Sequence, residues 1–278
     1  MNKNIKNVIS KIFIYSILIF IILISIVPVI WVMLSSIKTN GEILSGPFGL
    51  PETLNFSAYQ YLFQEFNFLQ YFTNSVIVSV IPTVVSLIIF AMAAYVIARY
   101  EFPGKNLFYI LLIMTLLVPG HARTQPIFSL VFKLGLYDTK TALILVYLSA
   151  GMATSMFVLR SGFMSVPAAL SEAARIDGAG FFRTFWTINL PLAKNSLVTA
   201  GILMFLGNWN EFYYANLLTS SMENKTLPII TTMFVTQFSY DYTKTFAALT
   251  LLIIPGIVAY AFAQEKVQQS VASTGIKG

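Results

Sequence analysis

The sequence predicts an all-α polytopic membrane protein, and two observations carry that reading. Of 278 residues, 57% are hydrophobic and only 10% charged, against about 25% charged in an ordinary soluble domain. Six stretches are apolar over the roughly 20 residues that a helix needs to cross about 30 Å of hydrocarbon. A mean hydropathy of +0.76 points the same way. The composition also removes much chemistry. With no cysteine and one histidine there is no disulfide framework, thiolate nucleophile, Cys-ligated zinc or His-rich metal site to expect. Seventeen basic against eleven acidic residues leave a net charge of +6, spread along the chain rather than gathered in a nucleic-acid stripe. The partner suggested by charge is the bilayer, not nucleic acid.

The expected spans run from Ile12 to Leu34, Asn74 to Ala98, Leu107 to Phe132, Thr141 to Phe163, Ser196 to Leu218, and Phe246 to Gln264. The first has a longer apolar run than the roughly 7 to 15 residues of a signal peptide and no small-residue cleavage pattern, so it is read as retained. The third is interrupted by Pro119-Gly120-His121-Ala122-Arg123-Thr124-Gln125-Pro126. Pro82 and Pro255 are expected to kink the second and sixth spans, because proline removes a backbone donor.

Six spans put both termini on one side. With the N-terminus inside, Lys3, Lys6, Lys11, Arg99, Lys105, Arg160, Arg175, Arg183, Lys194, Lys266 and Lys277 face inward, eleven in all, against five outside: Lys38, Lys133, Lys140, Lys225 and Lys244. The positive-inside rule therefore makes both termini cytoplasmic. Three regions follow: a cytoplasmic segment 1–11, a six-helix transmembrane domain 12–265, and a cytoplasmic tail 266–278. The long outer loop, Ile37 to Phe72, reads as an irregular stretch around Pro47 and Pro51 followed by an amphipathic interfacial helix near Tyr59 and Tyr61.

The inner loop 165–191 carries the most information. Pro167 suits a helix start, Ala168 to Ala174 have high helix propensity, and Gly178 suits a C-terminal stop. The expected short helix has a small-residue face of Ala169, Ala173 and Ala174 near Leu170. A second amphipathic segment follows with Phe181, Phe182, Phe185, Trp186 and Ile188, ending at Leu190-Pro191. On residues alone, such a pair could equally well do no more than join two spans.

Glu172-Ala173-Ala174, then Gly178 after three residues, then Ile188-Asn189-Leu190-Pro191 after nine more, resembles the EAA loop of permease subunits of binding-protein-dependent ABC importers. Ile176-Asp177-Gly178-Ala179 resembles the carbohydrate-uptake class, the maltose-type second permease in particular. So do Pro28-Val29-Ile30-Trp31, Ser35-Ser36-Ile37-Lys38, Asn74-Ser75, Ala94-Tyr95, Arg99-Tyr100-Glu101-Phe102-Pro103-Gly104, Trp209-Asn210-Glu211-Phe212 and the terminal Gly275-Ile276-Lys277-Gly278. The resemblance implies a type I ABC importer permease fold, with Glu172, Ala173, Ala174, Asp177, Gly178 and Ala179 on a coupling helix seated against a cytoplasmic ATPase. It further implies a second permease as heterodimer partner, two ATP-binding subunits, an extracellular solute-binding protein, a sugar as cargo, and the bacterial cytoplasmic membrane as location. ATP and Mg would sit on the partner subunits, with no cofactor on this chain.

The chain shows no enzyme chemistry of its own. Gly104-Lys105 lacks the earlier glycine and following Ser or Thr of a phosphate loop, and no Ser, His and Asp share a platform. Polar groups inside a span are costly and tend to face a cavity or a helix partner. Asn208 and Glu211, three apart on one expected helix face, together with Trp209, are candidates for the translocation path; their alternative is helix packing. Arg123 and Gln125 in the interrupted span are further candidates, since non-helical backbone at membrane depth lines water or is buried in protein. His121 reads as a packing residue. An ion-coupled carrier would carry inverted repeats and buried ionisable residues, and neither stands out; a non-transporting scaffold that recruits a cytosolic partner is the other alternative.

Overall fold

A computed structural model describes residues 3–234 and 240–275, with side chains described for 10–234 and 240–268. The terminal Ile276-Lys277-Gly278 of the family-like tail lies outside the described residues. In chain order the helices are α1 (Lys3–Ser35), α2 (Asn40–Ser45), α3 (Ser57–Gln64), α4 (Phe68–Arg99), α5 (Lys105–Met114), α6 (Thr124–Lys133), α7 (Lys140–Leu148) and α8 (Met152–Ser165). They continue with α9 (Ala168–Ile176), α10 (Phe181–Thr184), α11 (Leu190–Leu192), α12 (Lys194–Trp209), α13 (Tyr213–Leu218), α14 (Leu227–Ile230) and α15 (Tyr242–Gly275).

Among the described residues, three helices are long and apolar enough to cross a membrane unaided: Ser10–Ser35 of α1, Phe68–Arg99, and Tyr242–Gln268 of α15. α4 and α15 run without interruption through Pro82 and Pro255, so neither proline breaks its span. Three further spans are pairs bent at a break. Lys105–Leu117 and Gly120–Lys133 meet at 101°, where the sequence predicts an interruption. Lys140–Leu148 and Met152–Ser165 meet at 48°, a bend within the stretch expected to run straight from Thr141 to Phe163. Phe181–Leu192 and Lys194–Trp209 meet at 80°. The fifth span also stops at Trp209 rather than continuing to Leu218, and α13 restarts after Asn210, Glu211 and Phe212.

The chain forms two compact units. The first comprises residues 1–68 and 230–253. Its apolar stretch from Ile12 to Ile30 remains largely exposed, as suits a helix that is hydrophobic all round and lies in lipid or against another helix. Thr39 and Glu42 make a reciprocal capping box at α2, 3.2 and 2.8 Å, which satisfies two backbone donors that a helix start leaves open. Lys38, 2% exposed, spends its ammonium on the carbonyls of Gly46 and Pro47 at 3.2 and 3.3 Å. Thr243 at the start of α15 donates to the Lys38 carbonyl and, through its backbone, to Asn40. α3 buries Ala58 and Leu62, four apart, giving the expected amphipathic helix in this loop.

The second unit comprises residues 69–229 and 254–278. Its core is built from Phe90, Ala94 and Tyr95 of α4, Met156, Leu159 and Phe163 of α8, and Ala200 and Met204 of α12. α8 and α12 approach so closely that a Cβ on Gly162 would stand 2.3 Å from Ser196 Oγ and 2.4 Å from its Cβ. Only glycine fits there. Far along α4 from this core, Asn74 donates to the carbonyls of Glu223 and Lys225 at 2.7 and 2.9 Å and accepts from Lys140 at 3.1 Å. Asp138 accepts from the backbone of Ser220 and Ser221 beside it, 2.9 and 3.0 Å, and from the Ser221 hydroxyl. Burial works against its charge, but the hydrogen bonds from Ser220, Ser221 and Asn224 together outweigh that effect and hold the carboxyl below the usual carboxylate range.

Candidate functional site

The loop between α8 and α12 folds as its residues dictate. Pro167 stands just ahead of α9 with extended ψ, so the helix begins where proline leaves no donor unsatisfied. At the other end the amide of Ala179 bonds the carbonyl of Ala174 at 2.8 Å and the amide of Gly178 bonds that of Arg175 at 3.0 Å. This is a Schellman stop, and it requires the left-handed backbone that Gly178 supplies at φ +82°. Nothing lies within 4 Å of the place a Gly178 side chain would begin. The residue therefore serves the turn and leaves open room beside it.

α9 is nearly all surface. Ser171 and Ala174 are its buried residues; Ala169, Leu170, Glu172, Ala173, Ile176 and Asp177 are exposed, with Ile176 at 87%. The expected small-residue face thus divides: Ala169 and Ala173 point outward, while Ala174 packs inward and Ala179 is half-buried. The divide follows the helical period, since Ala173 and Ala174 are adjacent and lie about 100° apart.

Two mounts hold the helix. Ser171 meets Asn189, whose amide donates to Ser171 Oγ at 3.0 Å and to the Thr184 carbonyl at 3.2 Å. Asn189 closes a wide π-type turn, Phe185–Asn189, that interrupts the second amphipathic segment. The other mount is Arg175, whose guanidinium lies 5.3 Å over the Tyr100 ring. The Tyr100 hydroxyl also holds Arg175 further toward its charged form than usual. Tyr100 leads into a close-packed aromatic group. Tyr95 at its centre is fully buried, with Tyr100, Phe163, Phe181 and Phe185 at 5.7, 5.6, 5.6 and 5.2 Å. Neither Ser171 nor Tyr100 was marked by the loop's pattern alone; an isolated serine and tyrosine give no periodic signal.

The translocation candidates fall at the span breaks. Asn208 is buried and donates to Thr83 of α4 at 3.0 Å. Trp209 is 2% exposed between Phe72 and Phe205, at 5.9 and 5.8 Å. Glu211 does not share a helix face with Asn208, because α12 ends between them. Its carboxylate instead accepts from the backbone amides of Tyr214 and Ala215 at 2.8 and 3.0 Å, capping α13, and from the hydroxyl of Tyr147 in the last turns of α7. A partly buried carboxylate is stabilised by such donors. The chain break that an expected continuous span conceals is thus what places Glu211.

Arg123 and Gln125 are exposed beside the third span's break. His121 stands edge-on to Tyr213 at 4.7 Å, Thr124 donates to the Tyr213 hydroxyl at 3.1 Å, and Tyr214 donates to the Gly120 carbonyl at 3.1 Å. The breaks of the third and fourth spans therefore meet the turn that follows α12, linked through Tyr147, Glu211, Tyr213 and Tyr214; the 80° bend at Ala193 is a separate one. Tyr147, Tyr213 and Tyr214 were hidden in apolar runs, where a tyrosine is indistinguishable from packing. Among the described residues no group of three or more His, Asp or Glu could hold a metal ion.

Three broken spans and an exposed, glycine-stopped helix in the loop between the fourth and fifth define a multi-pass helical membrane protein. The chain belongs to the binding-protein-dependent transport system inner membrane component family, whose sequence profile matches residues 88–273. Among its relatives is a permease protein of the diacetylchitobiose uptake system of Streptomyces coelicolor, NgcG, 37% identical over 89% of this chain and 82% of that protein. Another is AraQ, a permease protein of the arabinooligosaccharide transport system of Halalkalibacterium halodurans, 32% identical over 93% of this chain and 94% of the other. The fold superposes on a chain of a bacterial ABC transporter involved in the import of the acidic polysaccharide alginate. That match has a TM-score of 0.81 and 26% identity, covering 95% of this chain and 98% of that one. The protein is accordingly a transport subunit of the cytoplasmic membrane.

Proposed function

We propose that this chain is the second permease of a carbohydrate ABC importer, in which residues 12–265 act as one transmembrane domain and form half of the sugar pathway. The observation that carries the reading is α9: nine residues, exposed but for Ser171 and Ala174, and ended by the Gly178 turn. A short capped helix with this much free surface moves as a rigid body when a partner presses on it. The relatives in saccharide uptake systems favour a sugar as cargo.

In this reading both termini and α9 are cytoplasmic, as the distribution of lysine and arginine favours. Two ATP-binding subunits carry ATP and Mg. Their closure displaces α9 through Glu172, Ala173, Asp177 and Gly178, with Ala174 packing the helix from behind and Ala179 completing the turn. A second permease completes the pathway, and an external solute-binding protein delivers the sugar. Arg123 and Gln125, exposed at the break, are the side chains offered to passing hydroxyl groups. Asn208, Trp209 and Glu211 shape the path from behind by fixing the breaks.

The test is uptake by the assembled complex in proteoliposomes, with the binding protein outside and a panel of labelled chito-, arabino- and gluco-oligosaccharides. Uptake of one of these should require internal ATP and be indifferent to proton or sodium gradients. Uptake driven by an ion gradient without ATPase subunits would make the protein a secondary carrier, and no uptake of any kind would leave it a scaffold.

A further inference from the structure

The coupling reading leaves open how a push on α9 reaches the opposite face of the membrane. Inside the second unit, three spans are interrupted and α4 is not. A helix break is a place where displacement turns into bending, whereas a continuous helix moves more nearly as a rod; Pro82 removes one ladder bond from α4, and the helix runs on through it. α4 is attached at every level that matters. At the α9 end, Tyr100 follows its last residue and lies under Arg175, with its hydroxyl 3.4 Å from that of Tyr95. Arg99, in its last turn, donates to the carbonyl of Val166, two residues before α9. The rings of Phe163, Phe181 and Phe185 close around Tyr95. Interiors packed this tightly transmit displacement instead of absorbing it.

Midway, α4 holds the break of the fourth span and the end of α12. Ser86 donates to the carbonyl of Leu148, the last residue of α7, at 2.6 Å, and Thr83 accepts from Asn208 near the end of α12. At its far end, about 39 Å from Tyr100 at 1.5 Å per residue, Asn74 holds the carbonyls of Glu223 and Lys225. The Ser75 hydroxyl accepts the amide of Leu227 at 2.7 Å. One unbroken helix thus joins the coupling loop, the break of the fourth span, the end of α12 and the loop 220–227.

We propose that α4 is the rod by which displacement of the coupling helix is delivered to the loop 220–227, with Arg175 and Tyr100 as positioning residues at one end and Asn74 at the other. It rests on the coupling role of α9 given above. The competing route is the second mount, Ser171 to Asn189, which leads into α12 and bypasses α4.

The chain contains no cysteine, so paired nitroxide labels can be introduced at exposed Leu107 and Met222 and read by pulsed electron paramagnetic resonance. The full importer complex, its partner subunits made cysteine-free, is measured without nucleotide and after trapping with Mg-ATP and vanadate. The wild-type separation should shift on trapping. Arg175→Gln, a surface change that leaves folding intact, and Tyr100→Leu should lose most of that shift; Tyr100→Phe should keep it, since the ring under the guanidinium remains. Asn74→Leu should lose it from the other end. A full shift in trapped Arg175→Gln and Tyr100→Leu complexes, its loss in Asn189→Ala alone, or no shift in the wild type would each overturn the proposal. Saccharide uptake by the same preparations is scored separately and decides the cargo reading, which none of these distances touches.

Discussion

The loop that carries α9 and the cluster of span breaks are built from opposite kinds of information. α9 is stopped by a glycine turn whose bonds all lie within six residues, Ala174 to Ala179. The breaks are held by side chains from distant segments: Tyr147 reaches Glu211 across 64 positions, and Tyr214 reaches Gly120 across 94. The difference teaches where force can be applied without cost. A locally coded helix keeps its shape when its surroundings move, and it suits a surface that docks and undocks. A break held by remote partners changes when any partner moves, and it suits a gate.

Four experiments sharpen or break that contrast. The largest effect is expected where the breaks' scaffold is tightest. Gly162→Val should prevent stable folding, since even a methyl group would overlap Ser196 by more than an ångström, beyond the roughly 1 to 3 kcal/mol typical of overpacking. The melting temperature of the detergent-solubilised protein reads this, and pairing Gly162→Ala with Ser196→Gly should recover most of the loss. An unchanged melting temperature would mean that α8 and α12 are not in contact.

Next comes Glu211→Ala, which removes a charged acceptor from two backbone amides and the Tyr147 hydroxyl and should lower stability by about 3 kcal/mol. Tyr147→Phe alone should cost about 1 kcal/mol, and the double variant should cost less than the sum, because both remove one shared bond. Strict additivity in a denaturation series would separate the two residues.

Gly178→Arg should cost only about 1 to 2 kcal/mol, the strain of an ordinary residue at left-handed φ, because the space around it is open. Its functional effect should far exceed its structural one, with uptake in vesicles lost while the protein remains folded in the membrane. Normal uptake would remove the docking role of the turn.

The smallest effect is a pH dependence. Asp138 has a folded-state pKa below its ordinary value, so its stabilisation is present in full above the unfolded pKa, about 3.9, and fades as pH falls through the lower folded value. Protection of the Ser220 and Ser221 amides, taken relative to their intrinsic exchange rates at each pH, should therefore fall below about pH 4, and Asp138→Asn should show reduced protection already at neutral pH with little further loss on acidification. Protection that ignores both acid and substitution would detach Asp138 from that loop.

Legibility in the sequence followed the range of the interactions. The first, second and sixth spans were plain because bilayer crossing needs only a long apolar run, and Pro119-Gly120 advertised the third span's break. The bend at Gly151, where φ is +69°, was missed because a glycine in an apolar stretch is also a tolerable helix residue. The fifth span's end was misplaced because Trp209 to Leu218 remain apolar, and nothing in their order announces that Glu211 caps a new helix. Pro82 and Pro255 lie inside continuous helices, so the backbone donor that each lacks interrupts neither span. The residues of α9 were legible through a spacing pattern, and Tyr100 and Asn189 stood within family-like motifs, but what they support is set by what they touch.

The sequence by itself determined that the chain lives in a membrane, where its candidate spans fall, and where the short helix between the fourth and fifth of them starts and stops. Those properties depend on hydrophobicity summed over a window or on backbone preferences of proline and glycine, and both are carried by neighbours in the chain. Tertiary structure alone decided that the fourth and fifth spans bend as well as the third, that Glu211 is a helix cap tied to Tyr147, and that Ala174 turns inward while Ala173 faces out. A buried polar group must find its partner wherever the fold places one, and at these positions the partner lies many residues away.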